Sequence, residues 1–150
     1  REHPNAELRV VGRHPDPRIR AMAQNGVTVT GGGPNMLPHL HEATVYVAPH
    51  FTGAGTRTKL LEAMAAGLPI VTTTVGIEGI AAQPGRDVLI ADTITGTIDS
   101  LLTLLASVED RRRLGLAARR VAEARYDWNR CLCPLEQLYR DLEHSEARAC

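Results

Sequence analysis

Apolar and β-branched residues fall along the chain in five short runs, at 8–11, 27–30, 45–48, 70–73 and 88–91. Each is nearly continuous rather than alternating, which predicts strands buried on both faces. Gly12, Gly31 and Pro49 close the first three. Between the runs, residues 16–24, 35–43, 56–66 and 94–107 carry helical patterns, and 110–126 and 128–142 add two closing helices. Strand followed by helix, repeated, predicts an α/β fold: a Rossmann-like, doubly wound parallel sheet with helices on both faces. Local chemistry supports the boundaries. Asp16 is placed to cap a helix with Pro17 in its first turn, and Asn35 to cap the next one after the glycines at 31–33. Gly67 with Pro69 two residues later stops the helix at 56–66. Residues 1–7, REHPNAE, read as the tail of a helix and a turn into a strand. The sheet starting at Leu8 is therefore expected to lack its first strand and helix, the chain being one domain from a longer protein.

Composition narrows the class without naming it. A chain of 150 residues with 43% hydrophobic and 23% charged residues can bury a core, so disorder is excluded. Lysine plus arginine balance aspartate plus glutamate, 17 against 17, which gives no field for nucleic acid or anionic membrane. No run is long enough to span a bilayer. The cysteines are Cys131, Cys133 and Cys150, odd in number and without a CxxC pair, so reduced thiols in a cytoplasmic protein are expected. Cys131 and Cys133, two apart on a helix, do not share a face.

Four glycine-bearing turns follow strands: Gly12-Arg13, residues 31–33, residues 53–55 and residues 76–79. Ligands of open α/β sheets bind at the carboxyl ends of strands, the edge these turns share, although glycine after a strand also serves simply to turn the chain. The turn inside residues 51–71, FTGAGTRTKLLEAMAAGLPIV, stands apart. Gly53 and Gly55 permit close backbone approach, Thr56 and Thr58 add hydroxyls, and Arg57 and Lys59 (the only lysine of the chain) place cations at a helix start. Cations there are unfavourable without an anion, and the unpaired N–H groups of a first helical turn attract one. The GxxxxGK[ST] spacing of a Walker loop is absent, and Pro34 interrupts any GxGxxG after Gly31. Glu62, within the apolar helix pattern, reads either as a helical ion pair with Lys59 or as a carboxylate that accepts the two hydroxyls of a ribose.

The segment GAGTRTKLLEAMAAGLPIVTTTVGIEGI resembles the nucleotide-sugar-binding motif in the C-terminal half of GT-B glycosyltransferases of group 1 (GT4-like). Gly85-Arg86-Asp87 before an apolar strand, and Tyr126-Asp127-Trp128 before the last helix, are similar to later elements of that family. The resemblance runs from about Glu2 to Tyr139. It implies that residues 1–150 form one donor-binding domain, whose last helix, about 128–142, packs back toward an N-terminal domain. Glu62 matches the second glutamate of the family's E-x7-E motif, which binds the donor ribose. Thr56, Arg57, Thr58 and Lys59 match the helix start that holds the diphosphate, with Arg57 and Lys59 as catalytic cations. Gly31 and Met36 match the loop lining the nucleobase, and Gly12 and Arg13 a further turn on the cleft edge. Ala54 stands where the family has its first, sugar-contacting glutamate.

The implied function is transfer of a hexose, with retention, from a UDP-, GDP- or ADP-sugar to a polysaccharide, lipid-linked or small acceptor, with no cofactor or metal. A GT-B sugar-nucleotide epimerase and a non-catalytic flavodoxin-like module are the alternatives. The latter predicts an aspartate closing an early strand, which the chain lacks. No nucleic-acid partner is expected, and the cytoplasm, or the inner face of its membrane, is the implied location. His50, after a strand, is expected near the donor. His39 and His41 read as ordinary surface or core residues rather than ligands, and the arginines at 111–113 and 119–120 as a solvated helix face.

Overall fold

A computed structural model describes residues 5–32, 35–53 and 55–146. Strand β1 (Leu8–Val11) leads through the single turn α1 (Pro17–Arg20) to β2 (Val27–Thr30), and the two pair in parallel from Leu8 opposite Val27 to Val11 opposite Thr30. Helix α2 (Leu37–Glu42) connects to β3 (Tyr46–Ala48), α3 (Thr58–Ala65) to β4 (Ile70–Thr72), and a long turn to β5 (Leu89–Ile90). These three strands form a second parallel set in the order β3-β4-β5. Helices α4 (Ile94–Ala106), α5 (Val108–Arg125) and α6 (Trp128–Glu146) complete the chain. All strands lie where the apolar runs predict them, and their pairing is parallel.

Burial departs from expectation at the first two strands. Ile70, Val71 and Thr72 of β4 are all buried, as a strand covered on both faces requires. In β1, by contrast, Leu8 is 44% exposed, and no residue of β1 or β2 is fully buried. Helix α1 is one turn, has no buried residue and does not cover a sheet face. Asp16 does accept the N–H of Arg18 as its cap, at 2.8 Å, but Ala21 to Gln24 carry no side chain into a core and the helix does not continue.

Because successive strand residues point to opposite faces, β4 serves two cores at once. Ile70 joins Leu60, Ala63 and Met64 of α3, Leu40 of α2 and Ala118 and Ala122 of α5. Val71 joins Leu104 of α4 and Leu114 of α5. α5 therefore locks the sheet's helices together. A side chain at Gly115 on α5 would lie 2.2 Å from the carbonyl oxygen of Gly67, the residue that ends α3 with φ +75°. Arg111 of α5 donates to the carbonyls of Leu104 and Leu105 at 2.6 and 2.9 Å, completing the otherwise open C-terminus of α4. The arginine run at 111–113 is thus not wholly a solvated face: Arg113 and Arg119 form exposed helical ion pairs with Asp110 and Glu123, but Arg111 is structural. β1 is tied to α2 by the pair Arg9–Glu42, whose guanidinium holds the Glu42 carboxyl below its ordinary range.

Along α6, Trp128, Leu132, Leu135, Tyr139 and Leu142 recur at alternating spacings of four and three and are exposed. Asp127 caps this helix by accepting the N–H of Asn129 at 3.0 Å. Among the described residues, no helix is long and apolar enough to cross a membrane.

Candidate functional site

The turn between β3 and α3 brings the chain back over its own helix start. Gly53 and Gly55 have φ of +115° and +89°, the left-handed region that glycine enters without strain. A Cβ at Gly53 would sit 2.8 Å from Nη2 of Arg57, so a side chain there would displace the guanidinium. Arg57 occupies the N-cap position and makes no side-chain cap; its guanidinium folds back across the turn instead. The helix consequently begins at Thr58, two residues later than the sequence pattern suggests. Thr58 N donates to Thr56 O at 3.1 Å, and Leu60 N and Leu61 N both reach Arg57 O. The Lys59 N–H donates to no described residue. Thr56, Thr58 and Lys59 are exposed beside it. An open N–H, two hydroxyls, a lysine and the positive end of the helix dipole converge, an arrangement whose chemistry suits an anion.

Glu62 lies one turn further along α3 and is exposed. Among the described residues Lys59 and Glu62 form no ion pair, so the plain helical-pair reading of their spacing is not realised. The Glu62 charge is instead felt by Tyr46 of β3, whose hydroxyl is pushed above its ordinary pKa, first by burial and then by this carboxylate.

A second layer holds the strand ends around this helix start. The Thr72 hydroxyl donates to Ala48 O at 2.9 Å and the Thr73 hydroxyl to His50 O, which fixes the exit of β3 against that of β4. His50 is exposed just after β3. Asp92, just past β5, accepts from both the N–H and the hydroxyl of Thr74 at 2.7 Å, and these bonds hold its carboxyl below the ordinary range. The turn 76–79 then passes over α3: a Cβ at Gly79 would lie 3.5 Å from the Thr56 hydroxyl oxygen. The far side of that turn is pinned by the Tyr126 hydroxyl, which accepts the N–H of Ala81 at 2.7 Å. Sequence reasoning singled out the glycines of 76–79, and Tyr126 only as part of the segment before the last helix, not as a residue that fixes this turn. The run Thr72-Thr73-Thr74 behind a buried strand was the readable signal, because three hydroxyls at a strand end need acceptors.

The turns after β1 and β2 meet each other. Gly32, with φ +73°, leaves its Cβ position 2.8 Å from Cγ of Arg13 and 3.0 Å from the carbonyl carbon of Gly12. Arg13 and Gly31 are exposed there, and Met36 is half-buried at the start of α2, where Asn35 accepts the N–H of Leu37 at 2.9 Å. Residues 1–4, Gly33, Pro34, Ala54 and Cys150 lie outside the described residues. Among the described residues no three His, Cys, Asp or Glu side chains converge as a metal site would require.

Comparison with known proteins gives a consistent picture. The family model for Glycosyl transferases group 1 matches residues 1–107. In sequence, the chain is 36% identical over 81 residues to Spore coat protein SA of Bacillus subtilis (strain 168), a match covering 52% of this chain and 22% of that protein. In structure, it is similar to sucrose-phosphate synthase from Thermosynechococcus elongatus, with a TM-score of 0.79 and 24% identity over 93% of this chain and 39% of that one. The structure of the GtfA/B complex is also similar, with a TM-score of 0.69 and 19% identity over 90% of this chain and 29% of that one. The chain thus spans well under half the length of each of these relatives, and the solved structures establish its Rossmann-like GT-B fold.

Proposed function

The chain belongs to the group 1 glycosyl transferases, and we propose that it supplies the donor-binding half of such an enzyme, holding a nucleoside-diphosphate sugar at the start of α3. The observation that carries this reading is the helix start itself: an open Lys59 N–H, flanked by exposed Thr56, Thr58 and Lys59, with Arg57 across the turn. Backbone N–H groups, hydroxyls and cations suit a diphosphate. They also become more favourable as its charge grows on departure from the sugar, which is how a preorganised site lowers a barrier. Arg57 and Lys59 are the cations proposed for that role, and the reading invokes no metal. Glu62 accepts the two ribose hydroxyls, as a free carboxylate can. Gly31 and Met36 face the base, Gly12 and Arg13 line the same edge, and His50 stands near the sugar. Transfer with retention, to a polysaccharide, lipid-linked or small acceptor, needs an acceptor side that α6 and its apolar stripe would help to dock. The cytoplasm, or the inner membrane face, is the proposed setting.

Calorimetric titration of the longest natural chain carrying this sequence, with UDP, GDP and ADP, tests the proposal. One of the three binds. Arg57→Ala and Glu62→Ala each weaken it by roughly 10- to 100-fold, the loss expected when a charged hydrogen-bond partner is removed. Binding that is indifferent to both changes would remove the basis of the reading. Epimerised donor accumulating without an acceptor would instead favour an epimerase on the same scaffold.

A further inference from the structure

The sugar of a bound donor needs recognition that a diphosphate clamp does not provide. Its hydroxyls are best gripped by a carboxylate, which accepts two of them at once. The strand-to-helix turn on the α3 side offers none: from Phe51 to Thr56 the sequence reads FTGAGT. The opposite wall does. We infer that Glu78, on the turn after β4, is the sugar-contacting, specificity-determining carboxylate of this site. This inference rests on the donor-binding reading above.

Three observations place it there. First, the turn is next to the anion site, because Gly79, the residue after Glu78, leaves its Cβ position 3.5 Å from the Thr56 hydroxyl oxygen. Second, the turn is held rather than loose. Gly76 N donates to the Thr73 hydroxyl at 2.9 Å, and a Cβ on Gly76 would lie 2.2 Å from the Thr72 hydroxyl oxygen, so the chain is pressed against β4. Ile77 and Ile80 turn into the core, and Ala81 N is bound by Tyr126. Third, with both isoleucines inward, Glu78 is exposed, and among the described residues its carboxylate takes part in no hydrogen bond or ion pair. A carboxylate carried on a fixed turn, with no partner among the described residues, beside a diphosphate-binding helix start is a preorganised acceptor.

The test separates recognition of the sugar from recognition of the nucleotide. Wild type and Glu78→Gln are titrated with UDP, GDP and ADP, and with UDP-glucose, UDP-N-acetylglucosamine, GDP-mannose and ADP-glucose. For the base that binds, the wild type prefers one sugar conjugate over the bare diphosphate. Glu78→Gln removes that preference, a loss of about tenfold or more, and leaves the bare diphosphate within about twofold. An unchanged sugar preference, or equal weakening of conjugate and diphosphate, overturns the assignment of Glu78 while leaving the diphosphate site standing. If the wild type binds none of the diphosphates, the donor-binding reading itself fails, and this inference with it. An unchanged thermal midpoint for Glu78→Gln, expected of an exposed side chain, excludes misfolding as the cause.

Discussion

Replacing Gly115 by alanine lowers the unfolding midpoint by roughly 10 °C, corresponding to about 3 kcal/mol at this chain length. Alanine is the better helix former, and on propensity alone the change would stabilise α5 by about 1 kcal/mol. Sterics reverse the sign. The new methyl would lie 2.2 Å from Gly67 O and 3.1 Å from its carbonyl carbon, both backbone atoms that cannot rotate away. α5 must then lift from the end of α3, opening the packing of Leu114, Ala118 and Ala122 against the buried residues of α3 and β4. Gly12→Ala is the control, since nothing lies within 4 Å of its Cβ position. Thermal unfolding of the two variants, followed by circular dichroism, decides the matter. Equal midpoints would mean that α5 does not sit against Gly67.

Replacing Asp87 by asparagine costs roughly 2–3 kcal/mol near neutral pH and almost nothing in acid. The Asp87 side chain is 2% exposed and accepts from Gln83 N at 2.8 Å and from Nε and Nη2 of Arg86 at 2.8 and 2.9 Å. Arg86 itself is 59% exposed, so the ion pair alone contributes little; the larger loss is a buried acceptor that no longer matches its donors. The Arg86 hydrogen bonds, followed by that from Gln83, outweigh burial and hold the carboxyl below its ordinary 3.8. A depressed folded value means that the stabilisation is present above 3.8 and disappears as pH falls through the lowered value. Urea unfolding of both proteins from pH 7 down to pH 2 should therefore show two stability curves that converge at the acid end. Parallel curves would contradict the assigned role.

Much of this architecture is legible because its causes are local. Apolar runs closed by Gly12, Gly31 and Pro49 gave the strands, and Asp16, Gly67 and Pro69 mark boundaries through chemistry that needs no tertiary context. What was not legible depends on contacts distant in sequence. α1 is one turn and residues 21–24 are exposed, so no buried face of this helix covers Leu8. The capping of α4 by Arg111 depends on how two helices meet, so an arginine run looked like plain surface. In the site, the glycine turn, Thr56, Arg57, Lys59 and Glu62 stand out by residue type and spacing. Glu78 and Asp92 do not, and Tyr126 stands out only as part of the segment before the last helix, because only the folded chain brings the turn after β4 to Thr56, Ala81 to Tyr126 and Thr74 to Asp92. The turns at Gly12-Arg13 and Gly32 pack on each other, a pairing that their shared position after parallel strands allows but does not demand.

The start of α3 is proposed to hold a diphosphate. A crystal structure of the chain soaked with the tightest-binding of UDP, GDP and ADP tests it most directly. Diphosphate oxygens are expected within hydrogen-bond distance of Lys59 N and of the Thr56 and Thr58 hydroxyls, with ribose hydroxyls on Glu62. A nucleotide seated elsewhere, with the Lys59 N–H still open, would contradict it.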